Sequence, residues 1–211
     1  MSFEIITGNH AGANDIIDAL DSAWTFDSSV TTGESHSVVW GDCSLVRNGI
    51  DISLRYNGVQ PQNFASPTSA GGEYIIAKTD TALIVSFTNA DQYNPSTFSI
   101  MIGTGTQVGG STTSKMILLG GVRVAGNTYP RTNCYCAVGG SGTRSRIASE
   151  QTRLSSVATQ ITPYVHAEGG IACSDMALVD VVSIANFIGK VSVNDQKWYI
   201  AGPLAIKIDQ T

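Results

Sequence analysis

Residues 45–56 read LVRNGIDISLRY and give the clearest fold signal in the chain. From Ile50 to Leu54 apolar residues alternate with polar ones, which is the period of a strand that buries one face. Asn48-Gly49 lies between two apolar stretches, and both residue types tolerate the positive φ of a two-residue turn. The segment therefore predicts a β-hairpin with its turn at Asn48-Gly49.

Short apolar stretches of strand length recur along most of the chain, separated by Gly, Asn and Pro. A spacing of roughly 8 to 12 residues is typical of antiparallel sheets, and the helical periods that a parallel α/β sheet needs are missing. We expect a mainly β fold, an antiparallel β-sandwich or barrel-like domain with one or two short helices. Besides the hairpin, strands are predicted at residues 74–77, 82–88, 98–102, 115–119, 122–125, 176–184, 187–193, 197–201 and 204–208.

Two segments have helical spacing. Apolar residues recur one turn apart over residues 13–23, where Asn14 or Asp15 can serve as the N-cap. A second pattern of this kind predicts a helix over residues 149–161.

Glycine and proline mark the predicted breaks between strands. Residues 103–114 are rich in Gly, Thr and Ser and predict a loop, and Gly120-Gly121 predicts a turn. Residues 60–72 hold two prolines and are the best candidate for a subdomain boundary. We expect a single β-rich domain over residues 1–211, without an internal repeat.

Charge is scarce in this chain of 211 residues, of which 14% are charged, against about 25% in an ordinary soluble domain. The formal net charge of -5 argues against a protein that binds nucleic acid, because phosphate binding needs clustered Lys and Arg. No apolar run approaches the roughly 18 residues of a membrane span, and no secretory signal is expected. With 42% hydrophobic residues, the chain can form a packed core.

The few charges are separated by sign along the chain. Residues 1–46 contain carboxylates but no Lys or Arg, whereas residues 92–149 contain Lys and Arg but no carboxylate. Opposite potentials on opposing surfaces can order a head-to-tail assembly. Alternatively, the two regions meet inside one monomer, and the sequence favours neither arrangement.

The four cysteines, Cys43, Cys134, Cys136 and Cys173, raise the question of a metal site. Structural zinc sites usually pair cysteines with two to four residues between them, whereas Cys134 and Cys136 are separated by one. We expect reduced, buried thiols, with no metal and no cofactor.

The sequence does not predict an enzyme. Ser141 is one residue out of register for the G-x-S-x-G nucleophile motif. The only possible imidazole bases are His10, His36 and His166, and nothing in their sequence surroundings indicates a catalytic Ser or Cys. Each histidine is interpreted as a structural or surface residue.

Four residues are candidates for binding or for a subunit interface. Tyr93 and Tyr129 lie beside prolines in predicted loops, so their rings are expected to be exposed. Arg144 and Arg146 can contact an acidic neighbouring subunit, a glycan carboxylate or only water.

Residues 3–8 read FEIITG and residues 14–20 read NDIIDAL, with Trp24 following. This segment resembles the opening of a group of tailed-bacteriophage virion proteins, which have a strand ending in Thr-Gly, an Asp-Leu-Leu helix and an aromatic-rich strand. The resemblance covers residues 3–24 and implies a structural component of the particle, without catalytic residues.

We therefore expect a non-enzymatic virion structural protein of the tail, the collar or another exterior attachment, assembled in the host cytoplasm. Its expected partners are copies of itself and other virion proteins in a symmetric ring or trimer, with no nucleic acid and no membrane span. One alternative is a glycan-binding module that recognises a receptor at a tail tip or fibre. A further alternative is a polysaccharide hydrolase, which needs two carboxylates within about 5 to 10 Å.

Overall fold

A computed structural model gives the fold of the chain. It describes residues 2–56, 64–65, 71–89, 96–107, 113–123, 131–137, 145–148, 160–166, 171–180, 188–193, 195–201 and 204–208. This part of the chain forms strands and one α-helix. In chain order they are β1 (Glu4–His10), α1 (Ala13–Ala23), β2 (Ser28–Thr32), β3 (Ser35–Trp40), β4 (Cys43–Asn48), β5 (Asp51–Tyr56), β6 (Phe64–Ala65), β7 (Gly72–Lys78), β8 (Ala82–Asn89), β9 (Ser96–Gln107), β10 (Thr113–Arg123), β11 (Arg131–Ala137), β12 (Ser145–Ala148), β13 (Gln160–His166), β14 (Ile171–Asp180), β15 (Ile188–Val193), β16 (Gln196–Ala201) and β17 (Leu204–Lys207).

The strands form two antiparallel sheets. The larger, 12-stranded sheet has the order β1-β7-β8-β9-β14-β17-β16-β15, with β10, β11, β12 and β13 joined beside this path. The smaller sheet has the order β2-β3-β4-β5-β6. The predicted mainly β, antiparallel, sandwich-like fold is confirmed, and in the described residues the larger sheet does not close into a barrel.

The central strands of the larger sheet are buried on both faces. On one face, Leu83, Val85 and Phe87 belong to a core that includes α1 and the smaller sheet. On the other face, Ala82 and Ile84 belong to a second core with residues of β14, β16 and β17. The central strands therefore lie between two covering layers, which is why β8 has a continuous apolar run rather than an alternating one.

Helix α1 covers residues 13–23 as predicted, because its apolar side chains recur one turn apart and face one core. Ile16, Ile17 and Leu20 are fully buried there. The N–H of Trp24 donates to the carbonyl of Leu20 at 3.0 Å. The backbone of Trp24 is extended, with φ -132°, and this ends the helix.

The predicted N-cap of α1 is wrong. Gly12 occupies the N-cap position without a side-chain cap, so Asn14 and Asp15 lie inside the helix. Asp15 Oδ2 instead accepts a hydrogen bond from the N–H of Ala11 at 2.6 Å. A carboxylate in the first turn thus reaches backwards to a backbone donor, a role that sequence alone does not distinguish from a cap.

The strands on either side of α1 differ in two points from those implied by the N-terminal resemblance. The first strand, β1, continues past Thr7-Gly8 to His10. The strand after the helix, β2, holds no aromatic residue, and Trp40 lies on β3 instead.

The smaller sheet is a meander whose turns repeat every eight residues. Gly33, Gly41 and Gly49 each open a two-residue turn, with φ of +58°, +63° and +59°. A side chain with a Cβ is strained in this conformation, so glycine suits the first turn position.

The hairpin predicted at residues 45–56 is confirmed as β4 and β5, with its turn displaced by one residue. Asn48 pairs with Asp51 in the last rung of the ladder. The turn is therefore Gly49-Ile50, and only Gly49 has a positive φ.

Two predicted breaks are strand in the structure. The expected loop at residues 103–114 is strand as far as Gln107 and again from Thr113, and Gly120-Gly121 lies within β10. A Cβ built at Gly103 would lie 2.5 Å from Met176 Sδ. Glycine here allows the side chain from β14 to approach closely rather than ending the strand.

Two predictions fall mainly outside the described residues. Of the second predicted helix, residues 149–159 lie outside, while residues 160–161 begin strand β13. The candidate boundary at residues 60–72 also lies largely outside, apart from β6 and the start of β7. The single-domain organisation stays a prediction. Within the described part of the chain, no helix is long and apolar enough to span a membrane.

Candidate functional site

Three of the four residues proposed from sequence for binding or interfaces, Tyr93, Tyr129 and Arg144, lie outside the described residues. The fourth, Arg146, is on β12 and pairs with Tyr135 of β11 in the ladder. Of the four predicted residues, the described structure therefore gives the position of Arg146 alone.

The cysteines are distributed over three strands. Cys43 on β4 is a buried thiol, and burial raises its pKa to about 11. Cys134 and Cys136 are on β11, and Cys173 is on β14. No group of three His, Cys, Asp or Glu side chains in the described ranges is arranged to hold a metal ion.

His10 and His166 belong to strands of the larger sheet. The buried His10 donates from Nε2 to the carbonyl of Thr88 at 2.8 Å and lies edge-on to the ring of Phe87. This contact links β1 to β8 across β7 and supports a structural role. His166 is the last residue of β13.

His36 lies in a polar cluster between α1 and the β2–β3 hairpin. Its Nδ1 is 2.9 Å from Asp18 Oδ1, and its Nε2 is 3.0 Å from Ser29 Oγ. These are the contacts of a serine-histidine-aspartate triad, which is recognised by geometry rather than by order in the chain. Sequence analysis missed the pair, although a two-residue turn at Gly33 places residues 29 and 36 diagonally on one face.

The hydroxyl of Ser29 is nevertheless directed away from the imidazole. It donates to Asp21 Oδ2 at 2.7 Å, and its oxygen lies 3.0 Å from His36 Nε2. A general base must instead accept the proton of its nucleophile. Through these contacts the His36 side chain, which is 8% exposed, ties β2 to α1.

Strand β2 forms an open edge of the smaller sheet. In the described residues it pairs with β3 alone, and all five residues of Ser28–Thr32 are exposed. Val30 at its centre is 57% exposed. The unpaired side of β2 presents backbone N–H and C=O groups to a further strand.

A separate cleft of about 350 Å³ opens beside β1, the end of α1 and the end of β7. It combines aromatic rings, charged groups and a hydroxyl. Its lining includes the residues that carry these groups, which are Glu4, Trp24, Trp40, Lys78, Thr79 and Asp80.

Two indole rings form one wall of this cleft. The ring centroids of Trp24 and Trp40 are 5.4 Å apart, with an edge-to-face angle of 73°. Trp40 Nε1 donates to the carbonyl of Gly103 at 3.2 Å, which fixes that ring. Trp24 Nε1 is buried without an acceptor among the described residues. An unmade hydrogen bond of this kind costs about 1–3 kcal/mol.

The charged lining residues of the cleft are already ordered by internal contacts. Lys78 Nζ lies 3.2 Å from Glu4 Oε2 and donates to the carbonyl of Ala23 at 3.2 Å. Asp80 accepts a hydrogen bond of 2.8 Å from the hydroxyl of Ser2, and the contacts with Ser2 lower the pKa of Asp80. In the described residues, Glu4 and Asp80 keep lone pairs beyond those used by Lys78 and Ser2.

Asp27 connects the smaller sheet to the larger one. Its carboxylate accepts hydrogen bonds from Lys115 Nζ and, at 2.7 Å, from the N–H of Gly41. These two contacts, Lys115 first, lower the pKa of Asp27. Lys115 also lies 4.3 Å from the ring centroid of Trp40. For this pair, the acidic and basic regions of the sequence meet inside one chain.

The chain matches no protein-family model, no curated protein and no solved structure.

Proposed function

We propose that this chain is a non-enzymatic structural protein of a tailed-phage virion, in the tail, the collar or another exterior attachment. It acts by assembling with copies of itself and with other virion proteins. The observation that carries the proposal is the open edge at β2. The phage context comes from the resemblance over residues 3–24.

Strand β2 lacks the features that keep sheet edges from pairing. Its sequence, SSVTT, contains no charge and no proline, and its register with β3 is regular over all five residues. Proteins that stay monomeric protect such edges with Lys, Pro or bulges. An unprotected edge favours addition of a strand from a neighbouring chain.

A second copy of β2 is the neighbour that best fits this edge. In a two-fold antiparallel pair centred on Val30, this residue lies opposite itself and each Ser28 lies opposite a Thr32. The pair matches apolar with apolar and hydroxyl with hydroxyl, and no charged residues meet within the strand. Two smaller sheets would thereby become one continuous sheet.

The binding free energy expected for this strand pairing is that of a contact that forms within a larger particle. Five paired residues exchange about four to six backbone hydrogen bonds, each worth about 1 kcal/mol net. Association of free subunits costs about 4–15 kcal/mol, so we expect the free chain to self-associate through this edge only weakly and at high protein concentration. Further contacts with other proteins of the particle raise the effective concentration and make the two-fold contact stable.

Val30→Lys tests the edge, because a charge at the centre of β2 opposes strand pairing. Sedimentation velocity over increasing protein concentration should show self-association of the wild type that this variant weakens by about tenfold or more. Ile50→Lys is the matched control, since Ile50 is also exposed, at 64%, but lies in the β4–β5 turn. A wild type that stays monomeric, or equal effects of the two variants, would contradict the proposed edge.

The virion assignment has its own test. Mass spectrometry and immunogold electron microscopy should find the protein in purified particles of the phage that carries its gene. Its absence from those particles would refute the assignment even if β2 mediates self-association.

A further inference from the structure

The cleft beside Trp24 and Trp40 contains none of the β2 residues and offers a different kind of surface. Its indole wall is apolar, while the wall formed by Glu4, Lys78 and Asp80 is polar. A ligand that fits both walls needs an apolar face and several hydrogen-bonding groups. A pyranose ring has both, since its C–H groups pack on aromatic rings and its hydroxyls both donate and accept.

The position of Trp24 supports a role beyond stability. Its buried N–H lacks an acceptor in the described residues, and a phenylalanine would avoid that loss. Both rings are held in place, because Trp40 donates to Gly103 and packs edge-to-face with Trp24. A preformed aromatic wall loses little conformational entropy when a ligand binds.

The charges of the cleft select against anionic ligands. Among the described lining residues, the ammonium group of Lys78 is already paired with Glu4, with Nζ 3.2 Å from Oε2. Asp80 adds a second carboxylate, and its contacts with Ser2 leave it as an oriented acceptor. A phosphate or a sugar acid would meet the carboxylates of Glu4 and Asp80, whereas the hydroxyls of an uncharged sugar can donate to them.

We propose that this cleft binds a short neutral saccharide of one or two rings, packed on Trp24 and Trp40 and hydrogen-bonded to Glu4 and Asp80. The volume of about 350 Å³ is at the lower end of ligand sites, which span roughly 300–1,000 Å³. The proposal is independent of the virion assignment and of pairing through β2. At an exterior attachment, such a site gives the particle contact with a surface glycan.

Saturation-transfer NMR and calorimetry on the full chain test the site with three probes: maltose, N,N′-diacetylchitobiose and 3′-sialyllactose. At least one neutral disaccharide should bind in the millimolar range, and the sialylated probe should bind more weakly. Trp24→Ala should lower the affinity for the bound disaccharide by about tenfold or more. Trp24→Phe keeps a smaller aromatic surface without the buried N–H and should bind with an affinity between those of the wild type and Trp24→Ala.

Two carboxylate variants, one inside the cleft and one outside it, distinguish a specific contact with the saccharide from a general effect of net charge on binding. Asp80→Asn should lower the affinity, by about three- to tenfold. Glu34→Gln removes an exposed carboxylate from the β2–β3 turn, at the far end of β3 from Trp40, and should leave the affinity unchanged. Circular dichroism confirms that each variant is folded.

Three results would overturn the proposal. The first is no binding of either neutral disaccharide, and the second is tighter binding of the sialylated probe. The third is binding that a folded Trp24→Ala variant leaves unchanged. A reducing-sugar assay on the bound disaccharide should detect no turnover. Release of new reducing ends would show that the cleft is the active site of a hydrolase rather than a binding site.

Discussion

Replacing Gly41 by alanine tests how the smaller sheet is joined to the larger one. A Cβ built at Gly41 would lie 2.8 Å from Lys115 Cβ, which belongs to β10 of the larger sheet. Gly49 opens the next turn of the same meander with φ +59°, close to the +63° of Gly41, and nothing lies within 4 Å of its Cβ position. The two substitutions therefore impose similar backbone strain and differ in the contact with Lys115.

The expected magnitudes follow from these two terms. Alanine at positive φ costs about 1–2 kcal/mol at either turn. At Gly41 the new methyl group also meets Lys115 Cβ, which cannot rotate away from its own backbone, and overpacking of this kind costs about 1–3 kcal/mol. We expect Gly49→Ala to lower the free energy of unfolding by about 1–2 kcal/mol and Gly41→Ala by about 2–5 kcal/mol.

Urea unfolding followed by circular dichroism measures the difference. For an m value of about 2–3 kcal/mol/M, the midpoint of Gly41→Ala should lie about 0.3–1.5 M below that of Gly49→Ala. Lys115→Gly removes the opposing Cβ, so a double-mutant cycle with Gly41→Ala should show a favourable coupling of about 1–3 kcal/mol. Equal midpoints for the two alanine variants, or strict additivity in the cycle, would refute the reasoning.

The pKa of Asp27 is held below its ordinary value of 3.8, so its stabilisation is present above about pH 4 and is lost as the pH falls below that. Asp27→Asn should therefore be less stable than the wild type at neutral pH and converge with it in strong acid; a pH-independent difference in thermal unfolding would contradict this. With a pKa of about 11, the buried thiol of Cys43 should resist iodoacetamide in the folded protein and react after unfolding. Peptide mass mapping checks this, and equal labelling in both states would count against it. Ser29 should not react with a fluorophosphonate, because its proton is directed to Asp21; labelling that His36→Gln abolishes would instead establish a catalytic triad.

The sequence was sufficient where burial repeats locally along the chain. Ile52 and Leu54 alternate with polar residues, and both face the core as predicted. Helix α1 was predicted over its whole length for the same reason. Details that depend on distant contacts were not predictable, such as the strand conformation at Gly103, which reflects the close approach of Met176 from a remote part of the chain.

The candidate cleft was not predicted because its parts converge from separate elements. Trp24 follows the helix and Trp40 ends β3, and no local pattern places the two rings 5.4 Å apart. The contact between Ser29 and His36 is different, since the turn at Gly33 determines it. A two-residue turn sets the strand register and thus the diagonal neighbours across the hairpin.

The turn spacing also limits which insertions and deletions the smaller sheet can accept. In β4 the core-facing residues Cys43 and Leu45 are the second and fourth residues after the turn glycine Gly41. In β5 the core-facing Ile52 is instead the third residue after the turn glycine Gly49. Removing one strand with its turn would place β5 in the position of β4 and direct Ile52 away from the core. Removing two strands together would restore every core-facing side chain to its side. The meander can therefore change length by whole hairpins, but not by single strands.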